Sequence, residues 1–395
     1  MTIELDLYFR SDAFVRKITR RSQSRKSHSH QVSATNLQNQ RIEQQDIQTT
    51  AQWPSSELCH WMQNGSADLA WHGGSGLPVT TSVRPRGPHT SYITSLRSGW
   101  FDYAAEEIAG KALPAWGFRC AGQIARMLGI DNIILVGNAP VSTNIWTERH
   151  IPEVPLLCQQ IASSHKNHFI GVRNLQADKH GPLIDRLKNE RFYAIPARIV
   201  YEFDFRETLE KKHSHLQRDR SALKRSGLQV NVLTSISPTQ AAHLRDLYQA
   251  IYIDKHSALN AQYTAQFFAD MLSFKVMTAL VLQDADGRIV AFAMLYAVDD
   301  TLTVPALGYD ARSSISGLYR LLFAAISLHA QEKRMLLNYS SGAGDFKRKR
   351  GGVARLEYTL LKAPQRWHSA RSSILSLIQR YGQDIREIDL IAWGA

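Results

Sequence analysis

Apolar positions recur along this chain in two rhythms, and the alternation between them predicts an α/β protein. Short apolar runs bounded by Gly, Asn or charged residues predict strands at 132–136, 168–172, 229–233, 276–283, 289–296, 302–308, 335–338 and 356–361. Residues 192–205 predict either one strand interrupted at Pro196 or two short ones. Helical spacing appears at 102–128, with a break at Pro114, and again at 155–163, 183–189 and 317–332. In the last of these, Leu318, Leu321, Leu322, Ala325 and Leu328 form the inward face. Ser237, Pro238 and Gln240 spell a capping box that opens a further helix, whose Ala241, Leu244, Leu247, Tyr248 and Ile251 share one side. The segment Asp284–Arg288, with Gly287, reads as a hairpin turn.

The order of these elements constrains topology. From 237 onward the chain runs helix, three antiparallel strands, helix, strand, irregular segment, strand. Passing from the third strand through a helix into the fourth demands a parallel crossover, so the sheet is mixed. It is expected to open near the ends of the third and fourth strands. Residues 91–205 hold an α/β unit of domain size. Upstream, residues 21–50 lack large apolar side chains and predict disorder, because they bury too little surface to offset chain entropy. Residues 51–90 are poor in core material apart from Trp53, Trp61 and Trp71, and 73–88 read as a Gly- and Pro-rich loop.

Composition narrows the function class. The chain has 395 residues, 44% of them hydrophobic, ample for a core and suggestive of two domains. Its cysteines, Cys59, Cys120 and Cys158, lie far apart, which predicts neither a disulfide framework nor a metal site. No apolar stretch reaches the roughly 20 residues of a membrane span, and the charged N-terminus does not read as a secretion signal. A cytoplasmic location is the expectation. The net charge of +12 raises the prospect of a polyanionic partner. Part of it lies in a predicted basic helix where Leu209, Leu216 and Leu223 recur every seven residues among Lys211, Lys212, Arg218, Arg220, Lys224 and Arg225, ending at Gly227.

Several motifs follow that helix in order. They are Gly308-Tyr309-Asp310, Gly317-Leu318-Tyr319-Arg320, the run Asn338-Tyr339-Ser340-Ser341-Gly342-Ala343-Gly344-Asp345-Phe346-Lys347, and Arg350-Gly351. Together with the basic helix they resemble the GNAT acyltransferase fold, and within it the Fem-type aminoacyltransferases of the peptidoglycan-precursor kind. The resemblance spans about 300 residues and rests on the order of motifs rather than on any one of them. It implies an α/β fold with a mixed sheet, in which two tandem GNAT-like domains, 91–205 and 206–395, follow a disordered basic region at 1–90. It also implies an acyltransferase acting on an amine, with aminoacyl-tRNA or acyl-CoA as donor and no metal or cofactor. GNAT enzymes that use acyl-CoA hold its pyrophosphate on a loop with two glycines at a helix N-terminus. Here the loop 312–318 has only Gly317, which tilts the expectation toward aminoacyl-tRNA. The acceptor is expected to be a small-molecule or peptidoglycan-like amine. A non-catalytic RNA binder on the same fold is the alternative.

The candidate site residues fall into two sets. Tyr309 and Asp310 end a strand where the sheet should open, as proton donor and proton acceptor, or as a half-buried tyrosine and a turn aspartate. Lys347 heads a cationic run, Lys347 to Arg350, flanked by Gly342, Gly344, Gly351 and Gly352, which reads as an anion-binding wall in preference to a solvated loop. The substrate-binding candidates are Arg173, Arg198, Lys255, Tyr319, Arg320, Asn338, Ser340, Ser341, Arg350 and Glu357. Arg173 and Arg198 suit a bidentate clamp on an anionic acceptor, or salt bridges within the first domain. Glu357 suits orientation of the amine or an ion pair with Arg350. The sequence pairs no histidine with Ser340 or Ser341, so a covalent intermediate is not expected.

Overall fold

Among the described residues, eleven strands join into one sheet in the order β1-β2-β3-β4-β11-β5-β10-β9-β8-β7-β6. The computed structural model describes Trp53 and residues 57–72, 76–82, 89–107, 115–206, 213–365 and 369–380. Residues 50–395 form a single unit. The expectations for residues 1–50, Pro114, Leu209, Lys211 and Lys212 lie outside the described residues. The first part contains α1 (Leu58–Trp61), β1 (Asp68–His72), β2 (Leu77–Ser82), α2 (Tyr103–Glu107), α3 (Ala115–Met127), β3 (Ile133–Val136), α4 (Glu153–Ser164), β4 (Phe169–Gln176), α5 (Ala177–Asn189) and β5 (Tyr193–Asp204). The second contains α6 (Ser214–Arg225), β6 (Gln229–Leu233), α7 (Pro238–Tyr252), α8 (Ala265–Ser273), β7 (Thr278–Gln283), β8 (Ile289–Val298), β9 (Thr301–Tyr309), α9 (Leu318–Glu332), β10 (Leu336–Asn338), α10 (Gly344–Arg348) and β11 (Val353–Lys362). A last helix, α11, spans 369–380.

The fold is thus α/β with a mixed sheet, and the crossover β9-α9-β10 is parallel as the element order requires. The sheet opens where expected. β10 pairs with β9 only over Thr301–Thr303, so β9 continues to Tyr309 without that neighbour. The capping box forms, with the Ser237 hydroxyl accepting from the Gln240 N–H and the Gln240 side chain accepting from the Ser237 N–H.

Strand exchange joins the two parts. β11, from the end of the chain, lies between β4 and β5, antiparallel to both. β5 in turn pairs with β10 of the second part. Alternation along β11 sends Leu360 to one face, among Val172 and Leu183, and Leu361 to the other, among Ile133 and Phe169. Both leucines are fully buried. β5 is one long strand, and the β5–β11 register shifts at the step from Arg198 to Pro196. Proline has no N–H for a ladder bond, so an irregularity there is the physical consequence.

Several elements differ from expectation. Residues 68–72 and 77–82 form a hairpin, whose β1 strand buries little and so gave no apolar signal. The α8 helix is short, but Thr264 caps it by accepting from the Phe267 N–H. Leu328 is 38% exposed rather than inward, because it falls off the buried stripe of α9. In the basic helix α6, Arg220 turns inward and donates to Ser327 and Gln331 on α9.

Candidate active site

The strand exchange places Glu357 of β11 directly opposite Arg198 of β5 and Gln176 of β4. The Glu357 carboxylate, almost fully buried, accepts from Arg198 Nε at 2.8 Å and from Asn174 Nδ2 at 2.8 Å. Arg198 reaches on to the Ser142 carbonyl (2.9 Å), the Thr143 hydroxyl (2.8 Å) and the Ser340 hydroxyl (3.3 Å). Arg173 lies beside it. Its guanidinium donates to the Ile93 carbonyl at 2.9 Å and to Asn138 Oδ1 at 2.7 Å. It also approaches the Ser142 carbonyl that Arg198 uses. Among the described residues no carboxylate forms a salt bridge with Arg173. Burial, and then the neighbouring Arg198, pull its pKa down to about 10. Half-buried Arg198 therefore has a carboxylate and buried Arg173 beside it has none, in a setting where an uncompensated charge is costly.

A second knot abuts the first. Lys347 is 2% exposed, and its ammonium donates to the carbonyls of Tyr339 (2.7 Å), Ser340 (3.1 Å) and Ser341 (2.8 Å). Burial, followed by the Arg198 charge, holds Lys347 well below the usual lysine range, while three carbonyl acceptors call for all three of its N–H donors. The loop so clamped carries left-handed residues at Ser340 (φ 57), Gly342 (φ 78) and Ala343 (φ 48). Asn338 Oδ1 accepts from the Ser340 N–H at 3.0 Å and helps to hold that conformation. With the three carbonyls drawn to Lys347, the N–H groups of Ser341, Gly342 and Ala343 find no protein acceptor among the described residues. Ser341 and Gly342 are exposed, and Gly342 has open space where a side chain would stand.

The remaining cations of the run are engaged within the chain. Arg348 donates to the Tyr201 hydroxyl, and Lys349 pairs with Asp345 at 2.7 Å. Arg350 pairs with buried Asp219 of α6 at 2.6 Å and stacks on Phe346, its guanidinium carbon 3.5 Å from the ring centroid. The partner of Arg350 is therefore Asp219, not Glu357. Three of the four flanking glycines, Gly344, Gly351 and Gly352, admit protein rather than a ligand. A Cβ on Gly344 would collide with Tyr201, one on Gly351 with His213, and one on Gly352 with Phe203.

At the open edge of the sheet stands a group of half-buried tyrosines. Tyr309 faces Tyr319 at 6.2 Å between ring centroids, and Tyr92 faces Tyr103 at 6.0 Å. Burial pushes the Tyr252 hydroxyl up, and the phenols of Tyr319, Tyr92, Tyr103 and Tyr309 add to it. Burial likewise pushes Tyr319 up to about 12, so it stays protonated at neutral pH. Asp310 is engaged as a turn residue: Arg288 donates to it at 2.9 Å and the Arg312 N–H at 3.0 Å. Gly317 (φ 74) caps α9, and a Cβ there would meet the Arg320 guanidinium at 2.9 Å, so exposed Arg320 folds back over that helix start. Lys255 is exposed beyond the end of α7 and joins none of these contacts.

The structure adds residues that the sequence did not single out. Asn138 accepts from Arg173, and Asn174 donates to Glu357, with Asn144 donating to both asparagines. Asn174 takes a left-handed conformation (φ 62) inside β4, a feature invisible in an Asn that simply follows an Arg. His180 sits at a kink in α5 (φ −120, ψ 21) and accepts the Gln176 N–H on Nδ1 at 3.0 Å. Burial first, and Lys179 second, lower its pKa to about 4, and Glu357 acts in the opposite sense. A neutral ring with its proton on Nε2 results.

Residues 210–350 match a family model described as an acetyltransferase (GNAT) domain. The comparison with curated proteins returns no match. Among solved structures, the chain is similar to the C-terminal domain of a protein described as a lysylphosphatidylglycerol synthetase from Agrobacterium fabrum. The TM-score is 0.49 at 14% identity, covering 81% of this chain and 89% of that one. It is similar to L-PGS from Bacillus licheniformis with TM-score 0.48 at 14% identity, covering 82% and 93%. FemX gives TM-score 0.47 at 8% identity, covering 78% and 90%.

Proposed function

We propose, from the premise that residues 210–350 are a GNAT-superfamily acyltransferase domain, that this chain transfers an aminoacyl group from aminoacyl-tRNA to an amine. The observation that carries the reading is the loop held by Lys347. Its N–H groups at Ser341, Gly342 and Ala343 have no acceptor among the described residues, and this reading assigns them as the donors that stabilise an oxyanion. In this reading the amine attacks the ester carbonyl, a C–N bond forms, and the developing oxyanion sits against those donors. The C–O bond to the tRNA ribose then breaks. Tyr309 accepts the proton that the amine loses while giving its own to the leaving oxygen, with protonated Tyr319 beside it.

Lys347 acts through the loop, since its own donors are engaged, and is a positioning residue. Asp310 and Arg350 serve the scaffold. Arg173 and Arg198, short of one negative charge between them, receive an anionic group on the acceptor. The single glycine of loop 312–318 and the net charge of +12 favour tRNA over acyl-CoA.

The test presents the protein with a pool of amines and, in separate reactions, labelled aminoacyl-tRNA and labelled acyl-CoA. Label is expected in an amide product from aminoacyl-tRNA. Label from acyl-CoA alone would reassign the donor. No product from either would overturn the transfer reaction itself.

A further inference from the structure

We propose that α3 and α11 together form a docking surface for an anionic lipid bilayer, at a distance in sequence from every residue assigned above. Trp116, Cys120, Ile124 and Met127 fall at i, i+4, i+8 and i+11 of α3, so they make one stripe along it. That stripe faces water. Trp116 is 69% exposed, Ile124 56% and Met127 87%, and Leu377 of α11 adds 53%. Single exposed apolar residues need no explanation, but a continuous stripe of large ones marks an interaction surface.

Two further observations select the occupant. Between the helices lies an apolar groove of about 150 Å³, walled by Phe101, Leu128, Phe169, Leu375 and Ile378 among others. The charge on the two helices has one sign. Neither α3 nor residues 369–380 contain an acidic residue, whereas Arg119, Arg126 and Arg380 are exposed on them. Of the acids on neighbouring segments, Asp102 and Asp131 are both paired to Arg97, at 2.6 and 3.2 Å, and exposed Glu106 of α2 accepts from the Ser257 hydroxyl. An amphipathic helix with an aromatic anchor, an aliphatic stripe and flanking arginines is the arrangement that lies in a membrane interface. Exposed arginines there meet lipid phosphates, while Trp116 and Met127 enter the acyl boundary and the groove accepts chain carbons. A protein partner of ordinary composition does not call for this combination of one-signed charge and open apolar stripe.

The test is flotation of the full chain with vesicles of phosphatidylcholine alone and of phosphatidylcholine mixed with phosphatidylglycerol. Binding is expected only to the anionic vesicles, and it should weaken as salt is raised. The pair Arg119→Glu and Arg126→Glu is expected to reduce binding by about tenfold or more. The pair Lys224→Glu and Arg225→Glu, the same change in net charge on exposed positions of α6, should leave most of it. Trp116→Ser with Met127→Ser should reduce binding without changing the circular dichroism spectrum. Equal loss from both charge-reversal pairs would show attraction of net charge alone and overturn the assignment. So would undiminished binding of the Trp116 and Met127 variant, or a dimer in solution that this variant dissolves, which would make the stripe an interface between copies of the chain.

Discussion

Two groups of cations meet at Ser340, and they are compensated differently. In the run from Lys347 to Arg350, each cation finds its acceptors inside the chain, with Arg350 matched one to one by Asp219. Of Arg173 and Arg198, only Arg198 pairs with a carboxylate among the described residues, Glu357. A sequence reading weights the first group more heavily, because four consecutive cations among glycines are conspicuous. The charge balance reverses that weighting. Where internal partners are complete, the cations build the scaffold. Where a negative charge is missing, a ligand has something to supply.

The sharpest way to break this contrast is Lys347→Met. Three carbonyls, that of Tyr339 buried and those of Ser340 and Ser341 partly so, would lose their donor at once, so a stability loss of about 3 kcal/mol in urea denaturation is expected. Transfer should fall by about a hundredfold or more as the donor loop relaxes. Full activity in a folded Lys347→Met variant would remove the loop from the mechanism.

A matched pair of substitutions comes next. Glu357→Gln and Asp219→Asn each strip an arginine of its carboxylate, half-buried Arg198 and buried Arg350 respectively, and each should cost up to about 3 kcal/mol. Their kinetic signatures should part. Glu357→Gln should change the KM for an anionic acceptor, while Asp219→Asn should leave that KM where it was. Equal shifts in both would mean that the Arg173–Arg198 cluster is no different from the Arg350 ion pair.

The smallest expected effect concerns His180. Its folded-state pKa of about 4 lies below its ordinary value of 6.5, so the unfolded chain takes up the proton first as pH falls. The stability it permits is therefore intact above about pH 6.5 and declines as pH drops toward 4. His180→Gln should flatten the stability profile across that interval, measured as urea midpoints at successive pH values. An unchanged slope would place the titrating group elsewhere.

Much of the architecture was legible along the chain because its strands and helices carry local signals. The capping box at Ser237, the hairpin at Gly287 and the buried face of α9 each announce themselves within a dozen residues. The crossover into β10 followed from element order alone. β1 and β2 escaped notice, β1 because it buries little. The candidate site was legible by residue but not by role. Arg173, Arg198, Ser340 and Glu357 do converge, as do Tyr309 and Tyr319. Their partners could not be read in advance: Arg350 goes to Asp219, and Asp310 to Arg288.

What decides those partners is the insertion of β11 between β4 and β5, since it sets Glu357 across from Arg198, 159 residues away in the chain. Periodicity, caps and turns depend on neighbours in sequence, so they fix elements without knowing the sheet order. Which charges are matched, and which remain open to a ligand, depends on strand register, and register here is settled by burying both faces of a strand that arrives last.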